Sequence, residues 1–178
     1  MQRILLLLAG VAFLALPTAS VARAQNHQQH LGAGFLVVHN ALTDGGVTGP
    51  SVVTVVVRGF VLGQIAQEGA VELYHVDPGT NSAAAQVGGA DVSRRLVTFG
   101  DLQGTEFTGS GFRFRAVGGV WRVVVYGSGI SLYAGGEVRV ITLHGSVEYP
   151  GEDGKYSIDG GPFASLPSGV ITRRLEAK

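Results

Sequence analysis

The chain has 178 residues, with 13 Lys and Arg against 13 Asp and Glu, 28 Gly and no Cys. Zero formal charge excludes nucleic-acid binding driven by net charge, a 46% hydrophobic content excludes a disordered chain, and the missing cysteines exclude a disulfide scaffold, a thiol enzyme and a Cys-ligated zinc site. Glycine has no three-residue period and falls between Val-rich runs, which is the punctuation of short strands joined by tight turns.

Met1-Gln2-Arg3 leads into an apolar run over 4–16, then Pro17 and the small-residue signature Ala22-Arg23-Ala24. This pattern reads as a secretory signal peptide over residues 1–24. As a helix the run would cover roughly 20 Å, short of the roughly 30 Å hydrocarbon core, so no transmembrane span is expected once it is cleaved. Cleavage after Ala24 removes Arg3 and Arg23, leaving 11 basic against 13 acidic groups and a net charge of −2. The expected address is secreted, periplasmic or cell envelope. Residues 25–30 are polar and read as a flexible N-terminus, and 31–178 as a single all-β domain.

Along that domain, strands are predicted over 31–40, 52–62, 70–76 and 92–99, each rich in β-branched residues and bounded by Gly or Pro. Thr43-Asp44-Gly45-Gly46 and Gly49-Pro50 mark a loop, Asp77-Pro78-Gly79 a turn, and the small residues of 82–90 a loop or short helix. From Gly109 the sequence repeats: Gly109-Ser110-Gly111-Phe112-Arg113-Phe114-Arg115-Ala116 recurs as Gly127-Ser128-Gly129-Ile130-Ser131-Leu132-Tyr133-Ala134. Two-residue turns at Gly118-Gly119 and Gly127-Ser128 and a three-residue loop over 135–137 would set Phe114 against Val123, Val123 against Leu132 and Leu132 against Val140, leaving one apolar face. Further short strands are predicted over 138–143, 147–149, 155–158 and 169–175, with a hairpin turn over 150–154. The expected fold is an all-β antiparallel meander forming a β-sandwich or barrel, with a β-solenoid of 18-residue units as the alternative.

The meander register lines up Arg115, Arg122, Tyr133 and Arg139 on the outer face, with Arg113 two residues from Arg115. Guanidinium groups around a phenol suit a carboxylate, sulfate or phosphate, because Arg offers planar bidentate donors and stacks on aromatic rings. The bland reading is a solvated face whose arginines pair with Glu106, Glu137 or Glu148. A mature terminus Gln25-Asn26-His27, with His30 nearby, has the nitrogen donors for Cu(II) or Ni(II). His39, His75 and His144 end different predicted strands, and His75 or His144 with a carboxylate supplies the raw material of a hydrolase. No nucleophile elbow or H-E-x-x-H motif accompanies them. Glu148, Glu152, Asp153 and Asp159 have calcium-binding or glycosidase chemistry, although Asp153-Gly154 reads more simply as a turn.

The stretch 127–167, with Gly127-Ser128-Gly129-Ile130 and Tyr156-Ser157-Ile158-Asp159-Gly160-Gly161-Pro162, resembles the C-terminal half of uncharacterised exported β-rich bacterial proteins. The resemblance implies an exported all-β fold and transfers no site residue. The leading expectation is therefore an exported, non-enzymatic binding or structural module without a cofactor, whose partner is an anionic glycan, lipid or protein surface and not nucleic acid. A small secreted hydrolase and a self-associating repeat protein are the alternatives.

Overall fold

A computed structural model of the chain describes residues 34–39, 49–77, 83–145 and 154–175, all within one compact unit, Leu31–Lys178. The proposed signal peptide, the His27 and His30 pair, the strand expected over 147–149 and the carboxylates Glu148, Glu152 and Asp153 lie outside the described residues. Among the described residues there is no helix. Nine strands form one antiparallel hydrogen-bonded network that is not closed into a barrel: β1 Phe35–His39, β2 Ser51–His75, β3 Ala84–Gly88, β4 Ser93–Phe99, β5 Leu102–Gly127, β6 Ile130–His144, β7 Lys155–Ile158, β8 Ala164–Ser165 and β9 Ile171–Arg174. The solenoid is excluded, because every pairing is antiparallel.

Three strands are far longer than the 5–6 residues usual in globular domains, and each serves both layers of the sandwich. Layer one runs β9, residues 138–144 of β6, 51–58 of β2, 120–127 of β5, 69–75 of β2, 104–109 of β5, then β4. Layer two runs β8, β7, β1, residues 130–135 of β6, 60–65 of β2, 112–117 of β5, then β3. With no helix available, the apolar face of each layer is covered by the other, as in sandwiches whose strands cross between sheets at a bend. Val53, Val55, Val57, Val71, Val123, Val125, Ile141 and Leu143 come from layer one, and Leu36, Val38, Val61, Ile65, Phe112, Ile130, Leu132 and Ala134 from layer two. All sixteen join one core and are at most 1% exposed.

The crossings fall at glycines, because the chain must turn there and pack backbone against backbone. Gly59 stands opposite Gly136, with φ of +152° and +118°. A Cβ on Gly59 would lie 2.3 Å from the Gly135 carbonyl oxygen, inside any allowed contact. Gly118 and Gly119 both adopt the left-handed conformation, at φ +69° and +67°, so this pair turns β5 from one layer to the other.

The all-β antiparallel expectation is therefore met, while the pairing within it differs from tight hairpins. Segment 112–117 does not fold back on 120–127: the two are successive parts of β5 in different layers, and in both layers β2 stands between β5 and β6. Ile65 pairs with Phe112 on one side and Ile130 on the other, and Val61 likewise with Ala116 and Ala134. The two Gly-Ser-Gly segments thus flank residues 60–65 of β2, and not the 121–125 segment that the meander register sets between them. The strands expected over 52–62 and 70–76 are one strand, β2, and the loop or helix expected over 82–90 contains β3. At Val56 and Val57 the partner shifts from Val140 to Val138, making Arg139 a bulge. That extra residue flips the alternation, so Val138 and Ile141 face the core while Val140, expected inside, is half-buried on the outer side.

Candidate functional site: a cationic sheet face

Alternation in layer two sends Phe112, Phe114 and Ala116 into the core and leaves Arg113 and Arg115 exposed on the opposite face. The pairings then fix who stands beside them. One row reads Lys155, His39, Ser131, Gln64, Arg113, Gly88, and the next reads Ser157, Val37, Tyr133, Leu62, Arg115, Gln86. These rows hold three permanent cations, an imidazole and no carboxylate among the described residues. At the usual spacing of 4.7–4.9 Å between neighbouring strands, Lys155 and Arg113 lie roughly 20 Å apart. Tyr133 is 44% and Leu62 43% exposed, with Phe35 tilted against Tyr133 at 6.4 Å between ring centroids. Ser131 Oγ and His39 Nδ1 share a hydrogen bond of 3.3 Å. At the β3 edge, Arg113 and Arg115 also border a depression of about 580 Å³ that reaches round to Phe114 and to Phe107 of layer one. The surface is a broad cationic face with apolar and hydrogen-bonding groups between its charges.

Of the residues expected to share a line, Arg113, Arg115 and Tyr133 do share this face. Arg122 and Arg139 do not. Arg122 lies in layer one, where it faces Val56 and Tyr74. Its guanidinium stands 3.7 Å from the Phe99 ring centroid and 5.3 Å from that of Tyr74. Burial between these rings pushes its pKa down, and its Nη1 is buried without a hydrogen-bond partner. Beside it the Tyr74 hydroxyl donates to Glu72 Oε2 at 2.8 Å, and Arg95 grips the buried Glu106 carboxylate through two nitrogens. Arg139, on its bulge, donates to Glu137 at 3.0 Å and 3.3 Å, and Arg58 approaches the same carboxylate at 3.6 Å. The hydrogen bond from Arg139 holds the Glu137 carboxyl below its ordinary range. Both of these arginines are committed within the domain, whereas Arg113 and Arg115 have no ion pair among the described residues.

The remaining candidates stay apart. His39 lies on the cationic face, His75 stacks on Trp121 at 4.9 Å, and His144 pairs with Val52 at the end of β6, so no two of these three share a row. Among the described residues no group of three or more His, Asp and Glu is arranged to hold a metal ion. Asp159 is occupied by the backbone: its Oδ1 accepts from Phe35 N–H at 2.8 Å and its own N–H donates to Phe35 O at 2.7 Å.

Lys155, Gln64 and Leu62 belong to the face as much as the arginines do without standing out in the sequence, and His39, a candidate only among the histidines, joins them. They come from β7, β1 and β2, and only the interposition of β2 brings them beside Arg113 and Arg115. The period-2 exposure of 62 and 64 within β2 was the available signal. Comparison with family models, curated proteins and solved structures gives no match to this chain.

Proposed function

We propose that this protein is an exported, non-enzymatic β-domain that binds an extended anionic polysaccharide across the outer face of layer two. The observation that carries the reading is the pair of adjacent rows with Arg113, Arg115 and Lys155 as cations, Tyr133, Gln64, Ser131 and His39 between them, and no carboxylate. A flat face of this width suits a polymer whose successive acidic groups meet successive cations, with sugar faces resting on Tyr133 and Leu62. The signal-peptide pattern over 1–24 supports an extracytoplasmic address, where such polymers are found.

The probe is a size-defined sulfated hexasaccharide titrated calorimetrically into the mature chain. Replacing Arg113 and Arg115 together by Ala is expected to weaken binding about tenfold or more, since each charge-assisted contact contributes on the order of 1.5–3 kcal/mol when well made and less when exposed. Binding to the wild type is expected to weaken with added salt, and Arg122→Ala should leave it within twofold because that side chain is held in the other layer. Unchanged affinity in the double variant would refute the proposal. Preferential binding to phosphatidylglycerol vesicles over the saccharide would assign the face to a lipid surface instead.

A further inference from the structure

The sandwich is open along one side. β3 and β4 are the edges of their layers there, and β3 is too short to cover the inner face of β4, so Leu96 is 81% exposed although its position alternates towards the core. Between the edges lies a cleft of about 410 Å³, within the roughly 300–1,000 Å³ typical of small-molecule sites. Its apolar wall is Leu73, Leu96, Phe107 and Trp121, and its polar members include Arg94, His75, Gln103 and Thr105.

Two groups at this cleft have no partner among the described residues. Arg94 stands beside Phe107 in the pairing of β4 with β5 and makes no ion pair among the described residues, although the neighbouring Arg95 is bound to Glu106. His75 Nε2 is buried without a hydrogen-bond partner, its ring fixed against Trp121. Among the described residues no carboxylate lines the cleft. An unpaired guanidinium at the rim of an otherwise apolar recess favours a ligand with one anionic end and an apolar body, because either half alone would leave the other surface unsatisfied.

We propose that this cleft binds an apolar monocarboxylate, with the carboxylate on Arg94 and the hydrocarbon against Leu73, Phe107 and Trp121. The cleft shares Ala85 and Phe107 with the depression beside Arg113 and Arg115, but its charged group is Arg94, and the proposal does not rest on polysaccharide binding at the outer face. A planar carboxylate matches the guanidinium fork, and the hydrocarbon rests on the apolar wall.

Trp121 is the only tryptophan in the chain and is 6% exposed, so its fluorescence reports directly on the cleft. Decanoate, kept below its micelle concentration, is expected to change that fluorescence saturably and to raise the melting temperature of the mature chain. Neutral decanamide should bind about tenfold more weakly or worse. Arg94→Ala should lower decanoate affinity to the decanamide level, and Arg94→Lys, which keeps the charge without the fork, should fall between. Circular dichroism of both variants checks that the exposed substitution leaves the fold intact. Equal affinity of decanoate and decanamide for the wild type, equal affinity of decanoate for wild type and Arg94→Ala, or no saturable fluorescence change would each overturn the assignment.

Discussion

At the scale of single residues, the same residue type does opposite jobs according to its neighbours. Arg122 is desolvated between Phe99 and Tyr74, whereas Arg113 and Arg115, a few residues earlier on the same strand, keep exposed guanidinium groups with no ion pair among the described residues. Tyr74 shows how strongly the layer-one cluster differs from solvent. Burial, reinforced by its hydrogen bond to Glu72, pushes its hydroxyl up to about 12. An unfolded tyrosine ionises near about 10, so the folded state holds this proton more tightly. The associated stability is complete below about pH 10 and is lost as pH rises towards 12. In a spectrophotometric phenolate titration Tyr74 is expected to ionise late among the five tyrosines, and Tyr74→Phe should remove that late step and soften the alkaline loss of stability. A Tyr74→Phe titration superimposing on the wild type would contradict this.

At the scale of elements, the glycine corners make two layers out of a few long strands. Gly59 cannot carry a side chain without driving its Cβ into the Gly135 carbonyl, and its positive φ disfavours any L residue. Gly59→Ala is therefore expected to cost about 2–4 kcal/mol, from backbone strain together with overpacking. Gly88→Ala on edge strand β3, where a Cβ would meet nothing within 4 Å, should change stability by less than about 0.5 kcal/mol. Urea midpoints of the two variants check the contrast, and similar midpoints would remove the corner's special role. The same corners explain which elements were legible. Alternation over 112–116 and 130–134 marked the core residues correctly because period 2 is a local property. A tight hairpin and a layer-crossing bend both call for glycine, so Gly118-Gly119 signalled a change of direction without saying what the chain would meet next.

For the whole molecule, the consequence is an assembly of non-local pairings. Ser51 faces Gly127 and Val52 faces His144, so β2 can be seated only after β5 and β6 have been synthesised and brought back to it. Closing such loops precedes the contacts that offset their entropy, and folds of this kind refold slowly. Stopped-flow refolding of the described domain is expected in the millisecond-to-second range, and a microsecond phase carrying most of the amplitude would show that local hairpins form the structure first. Both proposed sites depend on this arrangement. The outer face assembles from β7, β1, β6, β2 and β5, and the cleft exists because β3 and β4 end their layers without meeting.

The sequence by itself determined the fold class, the core-facing residues of most strands and the exposure of Arg113, Arg115 and Tyr133, because side-chain alternation and glycine punctuation are properties of short segments. It could not determine that β2 stands between β5 and β6, that Arg139 is a bulge, or that Arg122 is enclosed by Phe99 and Tyr74. Those outcomes are set by pairing between segments far apart in the chain, where the burial of two apolar faces against each other selects one register among several that satisfy the local pattern equally well.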